Sequence, residues 1–191
     1  MALVLASTSP IRRAMLADAG IEAKAAVPGI DEAALKTGNA ASDALSLAEA
    51  KALAVSARRG DDWVIGSDSI VSVDGRMFDK PRDRAEAADH LRYFSGRSMR
   101  LTSAVALAHG GNVEWSIADT ATLEVRDLSD TFIHSYLDAE WPDVGYCVGV
   151  FRMEGRGVHL FDRIHGSHFT ILGMPLLPLL VALRDRGLVA A

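Results

Sequence analysis

The stretch Ala6-Ser7-Thr8-Ser9-Pro10-Ile11-Arg12-Arg13 brings hydroxyl side chains, a helix start and paired cations together, which are the parts of an anion seat. Ser9 is a good N-cap and Pro10 suits the first helical position. The N–H groups of such a first turn can meet a negative group, with Ser7 and Thr8 beside them. Arg12 and Arg13 stand where cations oppose the helix dipole, at a cost of about 0.3–1 kcal/mol each unless an anion is bound. Taken alone, the pair also reads as solvated surface arginines.

The acids are the second group able to do chemistry. Asp31 and Glu32 follow the Pro28-Gly29 turn, where adjacent carboxylates are either solvated charge or metal ligands. Asp68 lies between two strand-like runs, Trp63-Val64-Ile65-Gly66 and Ile70-Val71, a place where strands seldom carry an acid without reason. Lys51 borders the apolar stripe Leu45, Ala48, Ala52, Val55 of a helix predicted over Ser42–Arg59; it either snorkels at the edge of that stripe or meets a ligand. Lys80-Pro81 follows a hairpin signalled by Asp74-Gly75. Cys147 has no base near it in sequence and reads as a packed thiol. His165 and His168 have a ligand-like spacing without a second pair, which argues against zinc, and no G-x-S-x-G motif recommends a serine nucleophile.

These residues need elements to hold them. Leu3-Val4-Leu5 reads as a buried strand, followed by a helix that Gly20 closes, and Ile21–Val27 reads as another strand. Helical periodicity returns over Arg84–Phe94 and again after Ser129, through Ile133, Tyr136 and Leu137. Leu101–Ala108 and Val113–Val125 read as strands, as do Val148–Phe151 and Val158–Phe161 around the turn Glu154-Gly155-Arg156-Gly157. An apolar helix to Arg186 follows Gly173-Met174-Pro175. Strands and helices mixed in this way predict an α/β fold with a mixed sheet and flanking helices.

With 191 residues, 49% of them hydrophobic, the chain can bury the core of a single domain, 1–191, or of two closely joined lobes. A formal net charge of −5 disfavours nucleic acid and membrane surfaces as partners, so an anionic ligand must be met locally. The single cysteine suits a reducing, cytoplasmic setting. There is no basic segment before the first apolar run, and the run Met174–Leu183, interrupted by two prolines, is short of the roughly 20 residues that span a bilayer.

Taken together, Ala6-Ser7-Thr8-Ser9-Pro10 with Arg12-Arg13, Asp31-Glu32, Lys51, Gly66-Ser67-Asp68, Lys80-Pro81, Ser95-Gly96-Arg97 and Gly173-Met174-Pro175-Leu176 form a fixed order that resembles the Maf family of nucleoside triphosphate pyrophosphatases, from Leu3 to Gly187. The resemblance implies two lobes around a nucleotide cleft, similar to the inosine triphosphatase fold. It implies hydrolysis of nucleoside triphosphates to monophosphate and pyrophosphate with a divalent cation, Mg²⁺ or Mn²⁺. Asp68 would be the catalytic acid position that takes the proton of the attacking water, with Glu32 and Asp68 as metal ligands. Ser7, Ser9, Arg12, Arg13 and Lys51 would meet the triphosphate, and Lys51 and Lys80 would neutralise charge as pyrophosphate leaves.

Three positions tied to base preference in that family are Ile11, Ser69 and Glu154 here. They match none of the residues usual in the thymidine and uridine triphosphate branch. Ile11 and Glu154, with the pattern Glu154-Gly155-x-Gly157-x-x-Leu160-Phe161, agree with the branch that resembles 7-methyl-GTP pyrophosphatases, while Ser69 stands in place of a Gln. A carboxylate at Glu154 suits the donors and cationic ring of 7-methylguanine. The alternative reading is a non-catalytic nucleotide-binding regulator of septum formation, against which the intact acids speak. The sequence leaves room for a homodimer.

Overall fold

The computed structural model describes residues 2–190. In chain order its strands and α-helices are β1 (Leu3–Ala6), α1 (Pro10–Asp18), β2 (Lys24–Ala25), α2 (Ala40–Ser56), β3 (Trp63–Val73), β4 (Arg76–Phe78), α3 (Arg84–Phe94), β5 (Ser98–His109), β6 (Asn112–Val125), α4 (Asp130–Glu140), β7 (Phe161–His165), α5 (His168–Ile171) and α6 (Leu176–Arg184). Strands hydrogen-bond in the order β2-β1-β3-β5-β6-β7, with β4 on β3. Parallel pairs (β1 with β2 and β3) and antiparallel pairs (β3 with β4, β6 with β7) make the sheet mixed, so the α/β class holds. Among the described residues no helix is long and apolar enough to cross a membrane.

The chain divides into two compact units, and β3, β5 and β6 contribute residues to each. The first comprises Met1–Ser69, Thr102–Asp119 and His168–Ala191. Its core gathers Leu5 and Ile65 from the strands, Met15 and Leu16 from α1, Val105 and Leu107 from β5, and Met174, Leu179 and Leu183 around α6. The α1 helix starts as predicted, with Ser9 as N-cap and Pro10 in the first turn, and Gly20 at φ +72° ends it. The strand expected over Ile21–Val27 shrinks to Lys24–Ala25. Ile21 is still spent on the helix end, its N–H reaching Leu16 O, and Pro28 lacks a donor at the other side. Helix α2 starts earlier than Ser42 because Asn39 caps it, Oδ1 accepting the Ser42 N–H at 3.0 Å.

The second unit comprises Ile70–Leu101 and Thr120–Ser167. Asp74 and Gly75, both at positive φ, turn β3 into β4, the hairpin signal made real. Asp83 and Ser129 cap α3 and α4, which bury Ala87, Leu91 and Phe94 and Ile133, Tyr136 and Leu137. The two strands expected around the Glu154 turn are absent. Val148–Phe151 is irregular, with Val150 at φ +55°, while Arg156–Leu160 is a 3-10 helix and the strand begins at Phe161. The chain crosses itself there: a Cβ on Gly157 would lie 2.4 Å from Arg152 O. A crossing that close leaves no room for the paired extended segments that alternating apolarity suggested.

Candidate functional site

The first unit builds its acid cluster from a contact between backbones. A Cβ on Gly66 of β3 would lie 2.1 Å from Ala48 O and 2.6 Å from Ala52 N of α2, distances only a glycine permits. Side chains on a strand alternate between faces, so Asp68, two residues on, points to the same face as Gly66. Lys51 follows Ala48 by almost one helical turn and is delivered to that face. Lys51 Nζ donates to Asp68 Oδ1 at 2.5 Å and lies 2.7 Å from Glu32 Oε1. Lys51 and Asp68 are buried, whereas the Glu32 side chain is 49% exposed. The snorkelling alternative for Lys51 is thereby excluded: its ammonium turns inward and joins the two acids that the sequence had set apart.

Glu32 reaches the cluster from a loop, and a residue not singled out in the sequence holds that loop. Asp31 Oδ1 accepts the Ala33 N–H at 3.1 Å and starts the 3-10 turn Ala33–Leu35. Asp43, wholly buried in the first turn of α2, accepts Thr37 N–H at 2.8 Å, Thr37 Oγ1–H at 2.6 Å and Gly38 N–H at 3.0 Å. Burial works against its charge, but those bonds and nearby Lys36 outweigh it and hold the carboxyl below its ordinary value. The signal in the sequence was an acid between Ser42 and Ala44 at the start of an apolar helix, a few residues after Thr37-Gly38.

The opposite face of β3 carries hydroxyls in place of acid. Ser67 Oγ lies 2.8 Å from Ala104 O and 2.9 Å from Gly173 O, and Ser69 Oγ lies 2.8 Å from Ser103 Oγ. Arg12 from α1 donates Nε–H to Gly173 O at 2.9 Å, Nη1–H to Ser67 O at 3.0 Å and Nη2–H to Ser69 Oγ at 2.9 Å. It is therefore no solvated surface arginine. Burial pulls its guanidinium below its ordinary value, and the charges of Asp68 and Glu32 pull it back. Arg13, next along the helix, is exposed and Ile11 is half-buried. Ser7 is buried and its Oγ accepts the Ser9 N–H at 3.1 Å, while Ser9 Oγ caps the Arg12 N–H at 3.5 Å.

Lys80 and Glu154 belong to the second unit and both are exposed. Glu154 Oε1 is 3.5 Å from Arg152 Nε, and Arg152 also pairs with Asp143. Burial, reinforced by Glu154, pushes the Cys147 thiol up to about 11, while Arg152 and Lys80 act the other way. Lys80 and Glu154 thus share one electrostatic neighbourhood around a thiol that stays protonated at neutral pH.

Two carboxylates that approach one cationic atom offer oxygen donors to a hard divalent ion. Mg²⁺ is commonly held by one or two carboxylates with water and substrate phosphates completing its shell, so Glu32 and Asp68 fit such an ion. Other groups of the first unit suit an anion: a capped helix start, Arg12 fixed within electrostatic reach of the acids and Arg13 in solvent.

A family model described as Maf-like protein matches residues 2–186. The chain is 46% identical to a 7-methyl-GTP pyrophosphatase of Rhizobium meliloti (strain 1021), covering 99% of this chain and 98% of that one. It is 43% identical to a nucleoside triphosphate pyrophosphatase of Nitrobacter hamburgensis, covering 98% and 95%. Among solved structures, a dITP/XTP pyrophosphatase from Mycobacterium abscessus aligns with a TM-score of 0.45 at 21% identity, over 65% of this chain and 74% of that one.

Proposed function

The chain belongs to the Maf-like protein family, and on that premise we propose that it hydrolyses nucleoside triphosphates to nucleoside monophosphate and pyrophosphate, with 7-methyl-GTP or a similar modified purine nucleotide favoured. The observation that carries the reading is the meeting of Glu32, Lys51 and Asp68 at one point, just past the register where Gly66 pairs with Ala6, the end of β1 from which the chain turns into α1. Water is split across the α–β anhydride: its oxygen goes to one phosphorus, the bridging P–O bond breaks, and Asp68 takes the proton. Glu32 and Asp68 would hold Mg²⁺ or Mn²⁺, which when bound supplies positive charge to the phosphate oxygens. Lys51, released from the acids, Arg13, Lys80 and the hydroxyls of Ser7 and Ser9 hold the triphosphate. Arg12 adds its charge from a fixed position. Glu154 and Ile11 meet the base, the carboxylate pairing with the donors of a cationic purine. The setting is cytoplasmic, where such nucleotides occur with the metal.

The test is pyrophosphate release, followed by a coupled pyrophosphatase, from a panel of standard and methylated nucleoside triphosphates with Mg²⁺ and with Mn²⁺. Release is expected from 7-methyl-GTP ahead of UTP, and Glu154→Gln should cut the ratio of their kcat/KM values about tenfold, the worth of one hydrogen bond to a charged group. No release from any nucleotide would overturn the enzymatic reading. An unchanged ratio in the Gln variant would remove Glu154 as the base reader.

A further inference from the structure

The hydroxyl of Ser69 has no proton left to give to a base. Its oxygen accepts the Nη2–H of Arg12 at 2.9 Å, so its own proton must point elsewhere. Two acceptors are in reach, Ser103 Oγ at 2.8 Å and Gly173 O at 3.2 Å. Ser103 is wholly buried, and its proton is committed to Thr170 O at 2.7 Å, which leaves its oxygen as an acceptor only. When the Ser69 proton goes to Ser103, the nearer acceptor, the four groups form a one-way chain, Arg12 to Ser69 to Ser103 to the Thr170 carbonyl; when it goes to Gly173 O it is held all the same. Gly173 closes it from the side. Its carbonyl takes the Arg12 Nε–H, its φ is +103°, and a Cβ there would sit 3.3 Å from both Arg12 Nε and Ser69 Oγ. A guanidinium has five N–H groups, and three of this one are committed to fixed oxygens of β3 and the 173 turn.

We infer that Ser69 is a positioning residue for Arg12: it fixes the guanidinium on the hydroxyl face of β3 by accepting its Nη2–H, with its own proton held by Ser103 or the Gly173 carbonyl, and it does not read the base. The inference rests on the pyrophosphatase reading for its kinetic consequence and on geometry alone for its structural one. Arg12 is half-buried and feels the charges of Asp68 and Glu32 across the strand, so a guanidinium that swings off its fixed oxygens loses a charge aimed at the phosphates of any nucleotide. A residue that read the base would change the order of nucleotides instead.

Two readouts decide it. The first needs no substrate: exchange of the Arg12 Nε–H with solvent, followed by ¹H–¹⁵N NMR, is expected to be slow in the wild type and at least about tenfold faster in Ser69→Ala. Equal exchange in the two proteins would overturn the inference whether or not the chain is an enzyme. The second readout is kinetic. Ser69→Ala should lower kcat about tenfold on 7-methyl-GTP and on UTP alike, the size expected for one hydrogen bond to a charged group, and Ser69→Thr, which keeps the hydroxyl, should recover most of it. In an Arg12→Lys background, where the planar fork is gone, Ser69→Ala should add less than about twofold. A shift in nucleotide ranking, full independence of the two substitutions, or no effect of Ser69→Ala would each overturn the inference. Should Ser69→Ala fail to fold, Ser103→Ala, which leaves Ser69 in place without its acceptor, is judged by the same exchange and ranking criteria. Absence of activity in the wild type would defeat the functional reading and leave the exchange result standing.

Discussion

Strand β3 carries opposite kinds of bonding on its two faces. Toward α2, Asp68 meets Lys51 and, through it, Glu32, a contact between full charges in which one partner sits at the end of a flexible four-carbon stem and another is half in solvent. Toward α1, Ser67, Ser69, Ser103 and the Gly173 carbonyl hold Arg12 through neutral oxygens, with each donor matched to an acceptor. In the proposed reaction the charged face would exchange partners, a divalent ion and a phosphate taking the places that Lys51 and the acids now occupy for each other. The hydroxyl face is built from fixed oxygens of the fold, which hold three of the five Arg12 N–H groups. A site that must bind, react and release keeps its replaceable contacts on one side and its fixed ones on the other. The buried ion pair is weak evidence of stability, because desolvation consumes most of the attraction, and its retention is better explained by that exchange.

The sharpest way to break the comparison is at its centre. Asp68→Asn keeps the shape of the charged face and removes its proton acceptor, so turnover should fall by about 10²-fold or more while the circular dichroism spectrum is kept. A folded variant with wild-type turnover would show that the face does no chemistry. Lys51→Ala tests exchange of partners. Turnover should fall on every nucleotide, yet Mn²⁺ or Mg²⁺ binding to the nucleotide-free protein, measured by calorimetry, should tighten about tenfold, because an ammonium at contact distance opposes a second cation by more than ~1 kcal/mol even in a watery dielectric. Weaker metal binding in that variant would make Lys51 a support of the acids and not a stand-in for the ion.

The smallest expected effect lies in the loop that supplies Glu32. Asp43→Asn should cost about 1–3 kcal/mol, as one or more of the Thr37 and Gly38 donors loses a charged acceptor. The folded carboxyl lies below its ordinary 3.8, so the stability it contributes is fully present above that value and is lost as pH falls through the lower folded one. Urea midpoints of the wild type should therefore drop below about pH 4, and the Asn variant should lack that component. Identical acid profiles would remove Asp43 from the account of how Glu32 is held.

The parts of the site that depend on local chemistry were legible in the sequence. Ser9, Pro10 and Gly20 bounded α1, Asp74-Gly75 marked the hairpin, and the oddity of Asp68 inside a strand was visible without any neighbour. The parts that depend on one segment lying against another were not. Whether Lys51 snorkelled or turned inward hinged on Gly66 admitting α2 to backbone contact, which no periodicity reports. Arg12 looked like a dipole penalty because its acceptors, Ser67 O, Ser69 and Gly173 O, lie far along the chain. Asp43 hid among alanines as an ordinary first-turn acid. The region after Cys147 misled for the same reason: its alternating apolar residues suit strands, and only the crossing of Arg152 by Gly157 forbids them.

The hydrogen bond from Arg12 to Gly173 joins residues 161 positions apart. On a ribosome, the first strand and helix are made long before their last partner exists, and the closure of so long a loop is slow compared with local helix formation. The first unit is interrupted twice in sequence, so its centre cannot be completed piecemeal. A nascent chain up to α5 carries every acid and cation of the site but not the carbonyl that fixes Arg12. On the proposed reading, full competence therefore waits for Gly173 to be made, and a chain cut short before it carries the reactive groups without that acceptor.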